Sequence, residues 1–313
     1  MALTTFQRRF VLLGISLILL LLPIYISSQH VMHIFIIAGL ESIVVMGFIA
    51  QYHVRLLTFC TATFWGLGAY VSGFLSTQWG ISFWFCLPLA GMMAGFFAFL
   101  IGLLVIRAGW VTFLMISVVI AEVFVEALGH LYLVGGWDGL SRIPRPAIGS
   151  YVFVGKASYY YLTFGLVVVC ILIFRGFYNS AIGKAWTAIG QSSDLAESIG
   201  INLSKYRMIA YVTAGFTSGL SGSLYAHYFG YIAPPTFDIV RSLYISIDAV
   251  VGGLGFVISG PIIGSVIIRA IPEFLRITDK YQPVFEGTLI ILCALFFRRG
   301  IIGALLKLLP HRR

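Results

Sequence analysis

Charged side chains are scarce in this chain. Asp, Glu, Lys and Arg together make up 10% of its 313 residues, whereas soluble domains carry roughly 25%. Hydrophobic residues make up 60%, and apolar runs recur at the length of about twenty residues that a helix needs to cross a lipid bilayer. This composition excludes an ordinary soluble domain and predicts an integral membrane protein in contact with membrane lipid.

The chain also lacks the sequence signatures of catalysis. It has no Walker A pattern, no HExxH, no CxxC and no GxSxG, so we expect neither ATP binding in a phosphate loop nor a hydrolytic site. The four cysteines stand singly in apolar segments, as small buried side chains do. The sequence predicts a pathway rather than an enzyme, with no cofactor and no metal.

Positive charge is in excess but is not concentrated. The net charge of +9 comes from bases in short loops and at both ends of the sequence, which indicates topology signals rather than a nucleic-acid surface. Residues 8–9, 53–55, Arg107 and residues 175–207 fall on alternate loops. Basic loops stay in the cytoplasm, so we predict a cytoplasmic N-terminus and an external loop at residues 131–158.

The apolar runs predict an all-α polytopic membrane protein. It would be a single domain, residues 1–313, with about eight spanning helices plus a re-entrant pair. The first run follows basic residues, as in a signal peptide, but the missing small-residue cleavage site favours a retained helix. The predicted spans are residues 10–27, 31–49, 59–76, 83–106, 111–130, 159–177, 208–229 and 284–297.

A further apolar stretch, residues 243–271, is interrupted in its middle by glycine and proline. Such backbone survives at membrane depth only where protein buries it or where it lines a cavity. We therefore expect a re-entrant pair of half-helices, a feature of solute pathways, which would leave the C-terminus in the cytoplasm. The alternative is a glycine-rich packing seam. The interrupting glycines proposed for the pathway or gate are Gly252, Gly253 and Gly255.

Residues 179–207 are polar and basic, and they lie between two apolar runs. Asp194 followed by Glu197 resembles a helix-capping pair, and Gly200 is a natural stop, which predicts a short helix between them. The apolar face beside Trp186 predicts another helix upstream. Two short helices on the membrane surface would form a rigid contact for another protein. The alternative is an ordinary amphipathic loop.

Four carboxylates fall inside the predicted membrane segments: Glu41, Glu122, Glu126 and Asp248. An ionised group in the membrane is costly, so each is a candidate for the pathway or its gate. Glu122 and Glu126 are four residues apart and therefore share one helix face. The alternative is a structural role, with pairing across helices to Arg107, Arg175 or Arg269, or a position near a membrane interface.

Short motifs recur in a specific order along most of the chain. Residues 181–237 carry Gly-x-Ala, Ala-Glu-Ser-x-Gly-Ile-Asn, a helix rich in Ala, Gly and Ser, then Tyr-Ala and Pro-x-x-Phe. Residues 242–264 carry Gly-Gly-Leu-Gly and Gly-Pro-x-x-Gly, and residues 64–70 and 135–146 add aromatic and glycine-rich motifs. From about residue 39 to residue 303 the chain resembles the branched-chain amino acid permease family of ABC importers, specifically its Liv M-type subunit.

The resemblance implies an importer subunit in the bacterial cytoplasmic (inner) membrane. It would pair with a homologous second permease, two ABC ATPase subunits and an external solute-binding protein, periplasmic or lipid-anchored. Residues 181–206 would dock in a groove of an ATPase subunit. The coupling positions there are Gly183, Ala185, Asp194, Ala196, Glu197, Gly200, Ile201 and Asn202. On the external side, Asp138, Arg142 and Arg145 would either meet the binding protein or brace their own loop.

The solute is the least specified part of the resemblance. The family implies branched-chain or related amino acids, but its relatives also serve importers for urea, short amides and aromatic acids. Residues 51–55 and 58–61 depart from the family pattern near the membrane. An ion-coupled secondary transporter is the alternative from another class, whereas scattered histidines disfavour a membrane enzyme.

Overall fold

The computed structural model describes residues 28–149 and 151–274, together with residues 287, 288, 301 and 303. The predicted span at residues 10–27 lies outside the described residues, as does that at 284–297 apart from residues 287 and 288. The two chain ends lie outside them as well, together with their basic residues.

Helices account for most of the described chain. In chain order they are α1 Gln29–His53, α2 Thr61–Gln78, α3 Phe83–Val105, α4 Trp110–His130, α5 Lys156–Asn179, α6 Ala181–Gln191, α7 Ser193–Ser198, α8 Leu203–Phe229, α9 Ile239–Gly252 and α10 Ser259–Phe274. Short 3-10 turns cover Tyr132–Val134, Gly136–Asp138 and Pro234–Phe237.

Six of the helices, α1 to α5 and α8, occupy positions predicted for membrane spans. Among the described residues, α1, α3, α4 and α5 are long and apolar enough to cross a membrane by composition alone. Helices α2 and α8 are also long, at 18 and 27 residues, but they are rich in Gly, Ser and Thr. The prediction of a helical, polytopic membrane protein is therefore confirmed.

The loop after α4 contains short strands that the sequence did not predict. Strand β1, Leu140–Ser141, pairs antiparallel with β4, Tyr231–Ile232, and so joins this loop to the end of α8. Strand β2, Ala147–Ile148, pairs with β3, Tyr151–Val152. Strands of two residues are too short to show an alternating pattern, which is why an all-α prediction missed them.

Helix α8 lies at the centre of the described bundle, against α1, α2 and α3. Small residues allow membrane helices to approach closely, and glycine is required where α8 crosses α2. A Cβ added to Gly222 would lie 1.9 Å from the carbonyl oxygen of Trp65. One added to Gly68 would lie 2.2 Å from the carbonyl oxygen of Gly219. The small residues that lower the hydropathy of α8 are thus the ones that build its interfaces.

Helices α9 and α10 form an antiparallel hairpin around the predicted break. The chain turns at residues 253–258, here called the hairpin tip, and Gly253 adopts a φ of 115°. Beyond the tip the helices lie in backbone contact, since a Cβ on Gly264 would lie 2.0 Å from the carbonyl oxygen of Asp248. A Cβ on Gly252 would likewise lie 2.0 Å from that of Gly260. Both sequence interpretations, half-helix pair and glycine seam, describe part of this hairpin.

Candidate functional site

A buried ionic cluster joins the hairpin to α1. Glu41 is 2% exposed and accepts hydrogen bonds from Arg241 of α9 and from Arg269 of α10. Arg269 binds both carboxylate oxygens, with its Nε 2.6 Å from Oε2. Asp248 is also buried and interacts electrostatically with all three groups. The Glu41 carboxylate is thus paired directly with two arginines, and a charge buried in a membrane protein requires such pairing.

This arrangement fits the structural interpretation, in which Glu41 pairs with arginines of other helices. One of its two partners was not suggested by the sequence. Arg269 was a suggested partner, but Arg241 lies between the predicted span 208–229 and the apolar stretch 243–271 and was not suggested. The structure places Arg241 in the first turn of α9, with its guanidinium carbon 5.1 Å from the ring centroid of Trp65. Pairing between residues 200 positions apart has no local sequence signal.

A cavity of about 430 Å³ lies beside the cluster. Arg241 and Arg269 line it, together with the rings of His33, Tyr225 and Tyr244. The cluster therefore borders open space on one side and packed protein on the other.

The two carboxylates of α4 face outward, and neither pairs with an arginine among residues 28–149 and 151–274. Glu122 and Glu126 are both exposed, and Glu126 Oε1 lies 3.1 Å from Nε2 of His130 one turn later. The proposed pairing of Glu126 with Arg107, Arg175 or Arg269 is therefore wrong. The apolar side chains of the same helix that are exposed beside them include Met115, Val119 and Val123. The lipid interior would leave these carboxylates without solvation, so they need water, another protein or a position near the membrane surface.

The external-loop candidates are exposed on a braced loop. Asp138, Arg142 and Arg145 all project from the surface. The bracing comes from other groups: His227 Nδ1 lies 2.6 Å from the carbonyl oxygen of Pro144, and β1 pairs with β4. The three charged side chains are thus presented outward by a loop that is held in place without them.

The segment from α6 to α7 is compact and capped. The Ser180 hydroxyl accepts from the backbone N–H of Ile182 at 3.2 Å and begins α6. The Ser192 hydroxyl accepts from the N–H of Leu195 at 3.3 Å and begins α7. The predicted cap at Asp194 is therefore wrong by two residues. Asp194 lies in the first turn of α7, where a carboxylate still favours the positive end of the helix.

Some of the other motif residues in this segment set its backbone turns and packing, and others are exposed on its surface. Gly183 is required by the tight α5–α6 turn, because a Cβ there would lie 2.4 Å from the carbonyl oxygen of Tyr178. Gly200 has a φ of 87°, as the predicted helix stop requires. Asn202 caps α8 by accepting from the N–H of Lys205 at 3.0 Å. The small side chains of Ala185 and Ala196 are buried, Ile201 is half-buried, and Asp194 and Glu197 are exposed.

Two arginines fasten this segment to the membrane helices. Arg55 donates from Nη2 to the carbonyl oxygen of Gln191 at 2.9 Å and so satisfies the end of α6. Arg207 donates from Nε to the carbonyl oxygen of Val54 at 3.2 Å. Both ends of the segment are therefore attached to the loop after α1.

Residues missed by the sequence analysis lie beneath this segment. His53, the last residue of α1, hydrogen-bonds to Tyr178 and to the hairpin tip. The only sequence feature that could have singled out His53 is its place among residues 51–55, which depart from the family pattern. A cavity of about 1040 Å³ lies here, between α6, α7 and the hairpin tip.

Residues 31–294 match the family described as "Branched-chain amino acid transport system / permease component". The chain is 25% identical to the permease protein LivM of the high-affinity branched-chain amino acid transport system of Escherichia coli (strain K12), over 86% of this chain and 68% of the relative. It is 24% identical to LivM of Salmonella typhimurium, over 96% of this chain and 76% of the relative. A "Tyrosine transport system permease protein" of Clostridioides difficile is 27% identical over 30% of this chain and 31% of its own length.

No solved structure matches the fold. The match to the family spans far more than half of the sequence and, apart from the first two residues of α1, all of the helices described above. The chain therefore belongs to the family of permease components of branched-chain amino acid transport systems, as a LivM-type membrane protein.

Proposed function

We propose that this chain forms one side of the translocation pathway of an ATP-driven ABC importer for branched-chain or related amino acids. The observation that carries the proposal is the α6–α7 segment, which is capped, fastened to the membrane helices and exposed on one face. A permease that only turned its chain around would need no such rigid element. A permease whose membrane helices are pushed by an ATPase subunit needs a rigid element for that contact.

Residues 179–207, here called the coupling segment, dock on an ATPase subunit through the outer face of α7. Leu195 and Ile199 are 69% and 73% exposed there, and Asp194 and Glu197 lie beside them. Exposed apolar side chains among charged ones are typical of a protein contact. Gly183, Ala185, Ala196, Gly200, Ile201 and Asn202 shape this face rather than perform chemistry.

The pathway runs along the outer face of α4, between this chain and a homologous second permease. Glu122 and Glu126 support this placement because a water-filled pathway or a polar partner would solvate them, whereas lipid would not. Glu41 and Asp248 act as the fixed end of the α9–α10 hairpin. Gly252, Gly253 and Gly255 allow the hairpin to bend at its tip.

The length of α8 supports placing its two ends on opposite sides of the membrane. Its 27 residues span about 40 Å, enough to cross a bilayer, and they connect the coupling segment to β4. With the coupling segment in the cytoplasm, the loop bearing Asp138, Arg142 and Arg145 is external and meets the solute-binding protein. An antiparallel hairpin would return the chain to the external side, and the span predicted from the sequence at residues 284–297 would then leave the C-terminus, like the N-terminus, in the cytoplasm. Residues 1–313 then act as one permease domain of a bacterial inner membrane.

Purification from native membranes in mild detergent tests this proposal. We expect mass spectrometry to identify a second hydrophobic permease and a Walker-motif ATPase bound to the chain, and proteoliposomes of the complex to import solute with ATP. Recovery of the chain alone, still moving solute in ATP-free vesicles, would instead establish an ion-coupled secondary transporter.

The identity of the solute is tested in the same proteoliposomes. Leucine, isoleucine and valine are expected to compete with one another for uptake. The relative that transports tyrosine makes aromatic amino acids the second candidate. Urea and short amides are the remaining competitors to measure.

A further inference from the structure

His53 uses both of its ring nitrogens to join two separate elements. Its Nδ1 lies 2.8 Å from the hydroxyl oxygen of Tyr178, near the end of α5. Its Nε2 lies 2.9 Å from the carbonyl oxygen of Leu254, in the hairpin tip. Because a carbonyl oxygen only accepts, Nε2 carries the proton of the neutral ring, and Nδ1 accepts from the Tyr178 hydroxyl. The three groups thus form one directed chain of hydrogen bonds.

A contact between aromatic rings connects these hydrogen-bonded groups to the coupling segment. The Tyr178 ring packs edge-on against Trp186 of α6, with centroids 5.4 Å apart and planes at 71°. Trp186 is fully buried and donates from Nε1 to the carbonyl oxygen of Tyr206 at 3.0 Å, so its position is fixed within the segment. A displacement of α6 therefore displaces Tyr178, and with it His53.

The hairpin tip otherwise borders open space on this side. The cavity of about 1040 Å³ is lined by Gly255 and Val257 of the tip and by Thr187 and Asp194 of the coupling segment. A dense apolar core would transmit movement through many contacts at once, so no single residue would matter. Here a cavity separates much of the tip from the segment, Val257 of the tip packs against the neighbouring apolar core, and His53 supplies a hydrogen-bonded bridge.

The two ends of the hairpin are held differently. At its far end Arg241 and Arg269 bind Glu41 of α1 in a buried cluster. At the tip, Gly253 and Gly255 make the backbone easy to bend, and the hydrogen bond from His53 reaches a backbone carbonyl. A pull at the tip therefore tilts or bends the hairpin about its fixed end.

We infer that His53 is the positioning residue that passes movement of the coupling segment to the α9–α10 hairpin, along the route Trp186, Tyr178, His53 and the carbonyl group of Leu254. The inference rests on the proposed contact between the coupling segment and an ATPase. The inference adds to that proposal the part of the membrane domain that the ATPase contact would move, which is the α9–α10 hairpin.

Three variants test the route in the complete importer in proteoliposomes. His53→Phe keeps a ring but removes both hydrogen bonds, His53→Gln retains an N–H near the Leu254 carbonyl, and Tyr178→Phe removes one hydroxyl. The matched control is Tyr52→Phe, a neighbouring tyrosine that is 42% exposed and lies outside the route. The readout is solute imported per ATP hydrolysed. We expect His53→Phe to lower it about fivefold or more, Tyr178→Phe to lower it less, His53→Gln to recover most of it, and the control to leave it unchanged.

A distance measurement separates transmission from simple damage. With the native cysteines replaced, spin labels at Ser198→Cys and at Ser259→Cys, an exposed residue directly after the tip, would each be measured against a fixed label on α5. We expect ATP to move both labels in the otherwise unmodified protein. In His53→Phe, the label on α7 should still move while that at the tip no longer does.

Three outcomes are distinguishable. An unchanged ratio of solute to ATP and unchanged tip movement in His53→Phe, with the ATPase still bound, would overturn the inference and leave the proposed function intact. If His53→Phe does not assemble, Tyr178→Phe provides the decision, because it removes a single oxygen atom. Failure of the ATPase to bind the unmodified chain would overturn the proposed function itself.

Discussion

Arg269 donates hydrogen bonds to both carboxylate oxygens of Glu41, although the two residues are 228 positions apart in the sequence. The pair joins the hairpin to the helix that ends at His53. The first prediction concerns this pair. Glu41→Leu leaves two arginines without their carboxylate and should lower the free energy of unfolding by about 3–5 kcal/mol. Thermal unfolding of the purified protein in detergent measures the loss.

Two further variants interpret that result. Glu41→Leu combined with Arg269→Leu should recover part of the lost stability, because fewer buried charges remain unpaired. Glu122→Gln removes an exposed carboxylate of another membrane helix and should change stability by less than about 1 kcal/mol. Equal losses from Glu41→Leu and Glu122→Gln would contradict a special role for the buried cluster.

The α2–α8 crossing predicts a strong effect of one methyl group. Gly222→Ala places a Cβ 1.9 Å from the Trp65 carbonyl oxygen, and backbone at a helix crossing cannot yield without separating the helices. We expect loss of the monodisperse peak in size-exclusion chromatography. Gly165→Ala in α5 is the matched control, since its Cβ would meet no described atom within 4 Å. A well-folded Gly222→Ala protein would mean that the crossing is looser than the described backbone.

The coupling segment predicts separation of ATP hydrolysis from transport. Glu197→Lys with Gly200→Trp reverses an exposed charge and places a bulky side chain at a φ of 87°. Solute uptake should fall at least tenfold, or the ATPase should be lost on purification, while the permease remains in the membrane. Asp138→Lys reverses a charge on the opposite loop and should leave the ATPase bound. Normal uptake by the double variant would remove the coupling assignment.

The exposed carboxylates of α4 predict a transport defect without a folding defect. Glu122→Lys reverses a charge on the face proposed to line the pathway, so uptake should fall several-fold while the unfolding temperature stays close to that of the unmodified protein. Val123→Ala trims an exposed neighbour and should leave uptake unchanged. Full uptake by Glu122→Lys, with intact assembly, would show that this carboxylate is incidental.

The external loop predicts salt-dependent docking. Arg142→Glu with Arg145→Glu reverses two exposed charges on a loop that is braced by other groups, so the loop itself should persist. Affinity for the binding protein should fall, and its dependence on ionic strength should weaken, because exposed charge pairs are screened by salt. Surface plasmon resonance at several salt concentrations measures both. Identical affinities would show that the two arginines do not take part in docking of the binding protein.

Local patterns predicted the helices well. Apolar runs of membrane length located α1 to α5 and α8 because every backbone group inside a bilayer must be satisfied within its own helix. The glycines at 252, 253 and 255 located the hairpin tip for the same reason. Glycine and a polar run were likewise enough to predict that the coupling segment is folded.

Features that depend on distant contacts were not predictable. Asp194 matched a capping pattern, but the hydroxyl of Ser192 reaches the Leu195 N–H and begins the helix two residues earlier. Arg241 seemed to be a loop residue until the fold brought it to Glu41. His53 had no motif of its own, since its role depends on where α5 and the hairpin tip end.

Helix α8 has a consequence for signalling across the membrane. It runs from the Asn202 cap to Gly230 without proline or interruption, and glycine contacts with α2 prevent it from sliding. One end is continuous with the coupling segment and the other with the strand that holds the external loop. If α8 crosses the membrane as proposed, one continuous helix connects the coupling segment to the external loop, and movement at either end would be transmitted to the other. Since coupling free energies are reciprocal, occupancy of the outer loop should alter nucleotide affinity inside as much as nucleotide alters docking outside.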